Sequence, residues 1–261
     1  MKEEGQSENK APENPKFLVN KDGFPLSENT IETLWKNVKE LHEDGEKYEK
    51  EIRGNLELPK AAFPLAPSFS SLMSTKDKIE SIQNYMNNLQ YNHTGLQFFE
   101  VKKYRPICGL IEVAKEIIKE SLPIKCLEAV ILSLYLTSSM NDIIRFTISF
   151  KSKFVTNIHR HVVLGLNHGI YYGALGMSRR KELMDKPLTF QSLGNLILDY
   201  KTAYENCHHK LKRVKLSLPV AHDVHSCERI SWKYFTLPVS KMTDGEIKDA
   251  LDKYSRVLKK L

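Results

Sequence analysis

The sequence predicts an α+β protein: a helical N-terminal part, followed by a central helix packed on an antiparallel sheet. Three observations predict it. Apolar residues recur at helical spacing after Ser27, over 75–90 and over 109–121. The almost wholly apolar run around Ala129–Leu136 reads as a buried helix. Beyond residue 145 the period shortens to runs of β-branched and aromatic residues separated by polar or glycine breaks.

Each element has a local reason. Ser27 or Asn29 can cap the first helix, whose stripe is Ile31, Leu34, Trp35, Val38 and Leu41; Asp44-Gly45 interrupts it. Three prolines make 58–71 an extended connector. The helix over 75–90 turns Ile79, Ile82, Met86 and Leu89 to one side, and that over 109–121 turns Leu110, Val113, Ile117 and Ile118. Pro123 stops the latter, and the next helix starts at Cys126 and runs to about Thr137. "RFTISFKSKF", "HRHVVLGL" and "IYYGALGM" read as consecutive antiparallel strands, with "KLKRVKLSL" and "ISWKYFTL" as further strands. Helices over 190–206 and 243–260 complete the chain. The expected organisation is a disordered polar tail over 1–15, a helical part over 16–105 and a core over 106–261.

Bulk properties narrow the function. The 261 residues are 41% hydrophobic and 27% charged, as in a soluble globular protein, with a net charge of +7 that favours acidic partners. Four scattered cysteines do not make a disulfide scaffold and suit a reducing compartment. The first residues lack the apolar run of a signal peptide, and no apolar run is long enough to span a bilayer. The expected location is the cytosol. No Walker loop or GxGxxG motif supports nucleotide binding.

Cys126 is the residue with the most chemical promise. It falls at the first turn of its helix, where unpaired N–H groups carry partial positive charge, and Lys125 precedes it. Both favour a thiolate, so its pKa is expected to fall. The plain alternative is a buried structural cysteine. A base is offered by His161, which shares a strand face with Val163 and Gly165, whereas His159 precedes the apolar stretch. In "GALGMSRRKELM", Gly173 and Gly176 allow close backbone approach, Ser178 could orient an imidazole, and Arg179 and Arg180 could clamp a carboxylate; otherwise Ser178 is a helix cap. A helix N-terminus facing a sheet histidine is shared by papain-like and transglutaminase-like thiol enzymes. Cys207, His208, His209, His222, His225 and Cys227 form a rival, zinc-like set, but the H-x2-H-x-C spacing is a weak zinc signature.

The words "LQYNHTGLQFFEVKK", "LPIKCLEAVILSLYLT", "RFTISFKSKF", "HRHVVLGLN" and "YGALGMSRRKELM", with the upstream "DGEKYEKEIRGNLELPK", closely resemble the vasohibins over about residues 17–256. The resemblance implies a transglutaminase-like cysteine protease that removes the C-terminal tyrosine of α-tubulin, works on microtubules and needs no cofactor or metal. It implies a helical partner, the small vasohibin-binding protein. Matched motif by motif, Cys126 is the nucleophile, His161 the base, Ser178 the third element and Tyr91 a support for the oxyanion. Lys125 and Arg179 match residues that bind the substrate's terminal carboxylate, and Lys103 and Arg160 match basic groove positions. A backbone carbonyl near Leu183 is the alternative third element. Thr147 stands where the family pattern has proline, and the words differ around His168 and Ile170. The resemblance also carries a rival from another class: a non-enzymatic regulator of angiogenesis, secreted by an unconventional route or acting as a scaffold through its basic face. Neither nucleic acid nor a membrane span is expected.

Overall fold

The helix beginning at Cys126 is the axis of the fold. In the computed structural model, which describes residues 18–57 and 63–260, this helix spans Cys126–Leu136. The tail expected over 1–15 lies outside the described residues, as does the first part of the 58–71 connector. In chain order the helices are α1 (Glu28–Leu41), α2 (Gly45–Gly54), α3 (Thr75–Leu89), α4 (Ile107–Glu120), α5 (Cys126–Leu136), α6 (Leu193–Asn206) and α7 (Asp244–Leu258). The strands are β1 (Leu18–Val19), β2 (Leu96–Gln97), β3 (Ile144–Phe154), β4 (Asn157–His168), β5 (Tyr171–Leu175), β6 (Lys186–Phe190), β7 (Lys210–Leu216) and β8 (Phe235–Leu237).

Six strands form an antiparallel sheet in the order β6-β5-β4-β3-β7-β8, while β1 and β2 make a short parallel pair. Helices and an antiparallel sheet give the expected α+β class. Alternation along β4 sends Val162, Leu164 and Leu166 into the apolar cluster shared with α3, α4 and α5. Val163 packs on the opposite side with Phe146, Ile148 and Phe150, beneath α6 and α7. The core therefore has two layers, one on each face of the sheet.

Both ends of α5 are pinned by buried charge of the sign its dipole favours. At the start, the Glu128 carboxylate accepts the backbone N–H of Lys125 at 2.6 Å. At the end, the buried Arg145 guanidinium donates to the Leu134 carbonyl at 2.6 Å and to Ala221 O at 2.6 Å. Residues 129–132 are fully buried. These contacts fix where Cys126 stands.

Several boundaries differ from the sequence expectation. The helix expected from 109 starts at Ile107, because the free N–H groups of Ile107 and Cys108 are taken by the carbonyls of Glu228 and Ser226. It ends at Ser121 in a left-handed turn (φ 49°), two residues before Pro123. The helix expected from 190 starts at Leu193, capped by Ser192, because 186–190 forms edge strand β6; Pro187 suits an edge strand, where no ladder donor is lost. A separate helix, α2, follows Asp44. Of "ISWKYFTL", the strand is confined to Phe235–Leu237.

Candidate active site

Cys126 and His161 line one cavity of about 720 Å³, together with Lys103, Phe150, Lys151, Arg160, Arg213, Lys215, Arg229, Trp232 and Lys233 among others. The first turn of α5 brings the sulfur against β4, where the backbone N–H groups of Val162 and Leu127 favour its thiolate. Val162 is the neighbour of His161, so the start of the helix and the strand meet beside both residues.

His161 is held from the far side of the sheet. Its Nε2 lies 2.8 Å from the Leu183 carbonyl. A carbonyl has no proton to give, so Nε2 donates and Nδ1 is the basic nitrogen. The ring stacks on Phe150 (6.1 Å, 16°). The carbonyl is itself fixed, because Leu183 is buried and Tyr200 of α6 donates to Met184 O at 2.6 Å. Ser178 occupies the turn after β5, where its Oγ accepts the Arg180 N–H at 3.2 Å. Gly173 lets β5 lie close to β6 and Gly176 lets the turn lie close to β4: a Cβ would stand 2.9 Å from Leu188 Cα at the first and 2.7 Å from Val163 Cγ1 at the second.

The segment carrying Tyr91 is tied to the residue two before the cysteine. Asn92 N donates to Ile124 O at 2.9 Å and Ile124 N to Gln90 O at 3.1 Å. Arg179 lies 6.0 Å over the Tyr91 ring, and burial followed by the charge of Cys126 pushes the Tyr91 phenol up. Lys125 is buried; burial lowers its ammonium pKa, the Glu128 charge opposes this, and Arg179 adds to it. Lys103 lies 4.5 Å over the Trp232 ring, with its pKa lowered by burial and raised by Cys126. Arg160 faces the cavity from β4. The structure thus brings together Cys126, His161, Tyr91, Lys125, Lys103, Arg160 and Arg179, and sets Ser178 beside them.

One expectation is corrected. The Cys126 thiol pKa is raised, not lowered: burial outweighs the two backbone N–H groups and Lys103, and Glu128 adds to the rise. Burial also takes His161 down to about 4, against the Leu183 carbonyl. At neutral pH the pair is therefore thiol and neutral imidazole.

Residues that the motifs did not single out include Glu128, Phe150 and, on the sheet, Lys151, Arg213 and Lys215. Lys151 stands directly opposite both Arg160 and Arg213 in register. Like charges directly opposite repel, so this row is suited to an anionic ligand. The i, i+2 spacing of Arg213 and Lys215 was a usable signal. The rival metal set does not assemble: among the described residues, no three of His, Cys, Asp and Glu are grouped to hold an ion. His209 instead pairs with Ser152 Oγ at 3.1 Å. Among the described residues, no helix is long and apolar enough to cross a membrane.

The family model described as Vasohibin matches residues 15–259, nearly the whole chain. The chain belongs to the vasohibin family. A curated relative, tubulinyl-Tyr carboxypeptidase 1 of Mus musculus, is 50% identical over 240 residues, covering 92% of this chain and 64% of the relative. The chain therefore spans less than two thirds of that vasohibin's length.

Proposed function

We propose that this vasohibin is a cysteine carboxypeptidase that removes the C-terminal tyrosine of α-tubulin, acting on microtubules in the cytoplasm. The observation that carries the reading is the shared cavity of Cys126 and His161, rimmed by cations. The relative's printed name, tubulinyl-Tyr carboxypeptidase 1, supports the reaction and the substrate.

An acidic tail ending in tyrosine is drawn to the row Arg160, Lys151 and Arg213. Lys125 and Arg179 hold its terminal carboxylate, which leaves only the last peptide bond at Cys126. As the sulfur attacks the carbonyl carbon, its proton passes to His161 Nδ1. Tyr91 and backbone N–H groups stabilise the oxyanion. His161 then protonates the leaving tyrosine, and water releases the acyl-enzyme. The Leu183 carbonyl is the orienting group for His161 and Ser178 supports the turn around it. This reading is favoured over a purely scaffolding role, which makes no use of a thiol and an imidazole in one cavity.

The small vasohibin-binding protein is the partner proposed for the N-terminal helices. α1 has no buried residue, and Ile31, Leu41, Tyr48 and Ile52 of α1 and α2 are exposed. An added amphipathic helix would cover that row. The division into a partner-binding part over 16–105 and a protease core over 106–261 belongs to the same proposal.

The test is release of free tyrosine from a glutamate-rich peptide ending in Tyr, followed by mass spectrometry, with and without the helical partner. Release from the free acid and none from the C-terminal amide is expected; equal cleavage of both, or none of either with the partner present, would contradict the proposal.

A further inference from the structure

Glu128 sits two residues after the candidate nucleophile and is completely buried. Both of its oxygens are used. One accepts the Lys125 N–H at 2.6 Å, and the other accepts the Phe99 N–H at 3.2 Å. It thereby ties the first turn of α5 to the segment after β2, four residues before Lys103. A carboxylate here is costly. Burial raises its pKa to about 7, although two N–H groups and Lys125 oppose this. Its charge also raises the Cys126 thiol, which does not help a nucleophile. Two backbone N–H groups could be satisfied by a neutral side chain, so the hydrogen bonds alone do not call for an ionised group.

What does call for one is Lys125. Its ammonium is buried beside Arg179, and both conditions push it towards the neutral amine. The Glu128 charge is the largest influence holding it protonated, ahead of Cys126. We propose that Glu128 is a positioning residue: its buried carboxylate keeps Lys125 charged and in place, and so maintains the cation that selects a free terminal carboxylate. The charged and titratable groups around it are Lys125 just before its helix, Cys126 at the start of that helix and Tyr91 from the segment after α3, with Arg179 acting on both Lys125 and Tyr91. Phe99 contributes only its backbone. Ionisation of Glu128 then couples selection of the terminal carboxylate to pH near neutrality.

The inference rests on the carboxypeptidase reading for the substrate's chemistry, so the test measures binding as well as turnover. Two glutamate-rich tail peptides, one ending in a free carboxylate and one in an amide, are titrated by fluorescence anisotropy against Cys126→Ala and Cys126→Ala/Glu128→Gln proteins. The first should prefer the free acid by about tenfold or more, as for one charge-assisted contact, and the second should lose most of that preference. An unchanged preference overturns the role of Glu128 and leaves the carboxypeptidase reading standing. No preference in Cys126→Ala itself overturns the clamp and the inference together. If the double variant fails to fold, the same preference is followed in Cys126→Ala from pH 8 to pH 6. It should weaken as Glu128 takes up its proton; a constant preference overturns the inference. Tyrosine release by the unaltered protein reports separately on the enzyme reading.

Discussion

Helices α1 and α5 make opposite use of their apolar residues. In α5, residues 128–134 are all buried, whereas α1 has none buried. Packing from both sides fixes α5, and with it the position of Cys126 at its start. α1 is capped by Ser27, and α1 and α2 are joined by ion pairs such as Arg53–Glu32 at 2.6 Å, which contribute little at a surface. The first region is completed by its own chain and suits chemistry; the second leaves an apolar row uncovered and suits an interface.

The largest effect expected from breaking this contrast is chemical. Cys126→Ala should remove tyrosine release altogether while circular dichroism stays that of the parent; residual turnover above a few percent would mean that another group attacks. Arg179→Glu comes next, with a large rise in KM for the free acid measured by steady-state kinetics, because the proposed carboxylate clamp would then carry an anion.

Stability sharpens the contrast further. Leu132→Ala, in the fully buried part of α5, should cost about 2–5 kcal/mol in urea titration. Ile31→Ala, on exposed α1, should cost well under about 1 kcal/mol, yet weaken capture of the proposed helical partner. Equal costs at the two sites would erase the distinction.

A smaller effect is the response of stability to pH. The folded protein binds the His161 proton less readily than the unfolded chain does. That neutral ring favours folding above its ordinary pKa of 6.5, and the advantage is lost as pH falls towards about 4. Glu128 acts in the opposite sense: its pKa is raised from 4.5 to about 7, so stability falls across that window as pH rises, by on the order of 3 kcal/mol. The windows overlap and the two slopes offset each other. Glu128→Gln should expose the His161 slope, with the urea midpoint rising between about pH 4 and 6.5 more steeply than in the parent. Identical profiles would show that Glu128 does not titrate there. Ser178→Ala should give the smallest loss of activity, because the Leu183 carbonyl already holds Nε2.

Much of this was legible in the sequence. The cap at Ser27 and the apolar spacing of α3 and α4 are local signals, and the α+β order followed from them. Cys126 and His161 stood out by residue type and position. The sign of the thiol shift was not legible, because a helix start and a neighbouring lysine are visible in a string while burial is not. Glu128 was missed for the same reason: it reads as an ordinary acid in a first helical turn, and only the fold brings Phe99 N to its second oxygen. The basic row across β4, β3 and β7 depends on register, which joins Arg160, Lys151 and Arg213 from distant parts of the chain. Edge strand β6 was hidden by its proline.

The most direct measurement is mass-spectrometric detection of an acyl adduct. The protein is mixed with a glutamate-rich peptide ending in tyrosine, quenched in acid within a turnover, and digested. The account predicts the peptide, shortened by one tyrosine, joined as a thioester to the fragment bearing Cys126. Free tyrosine released with the adduct on any other residue would contradict it.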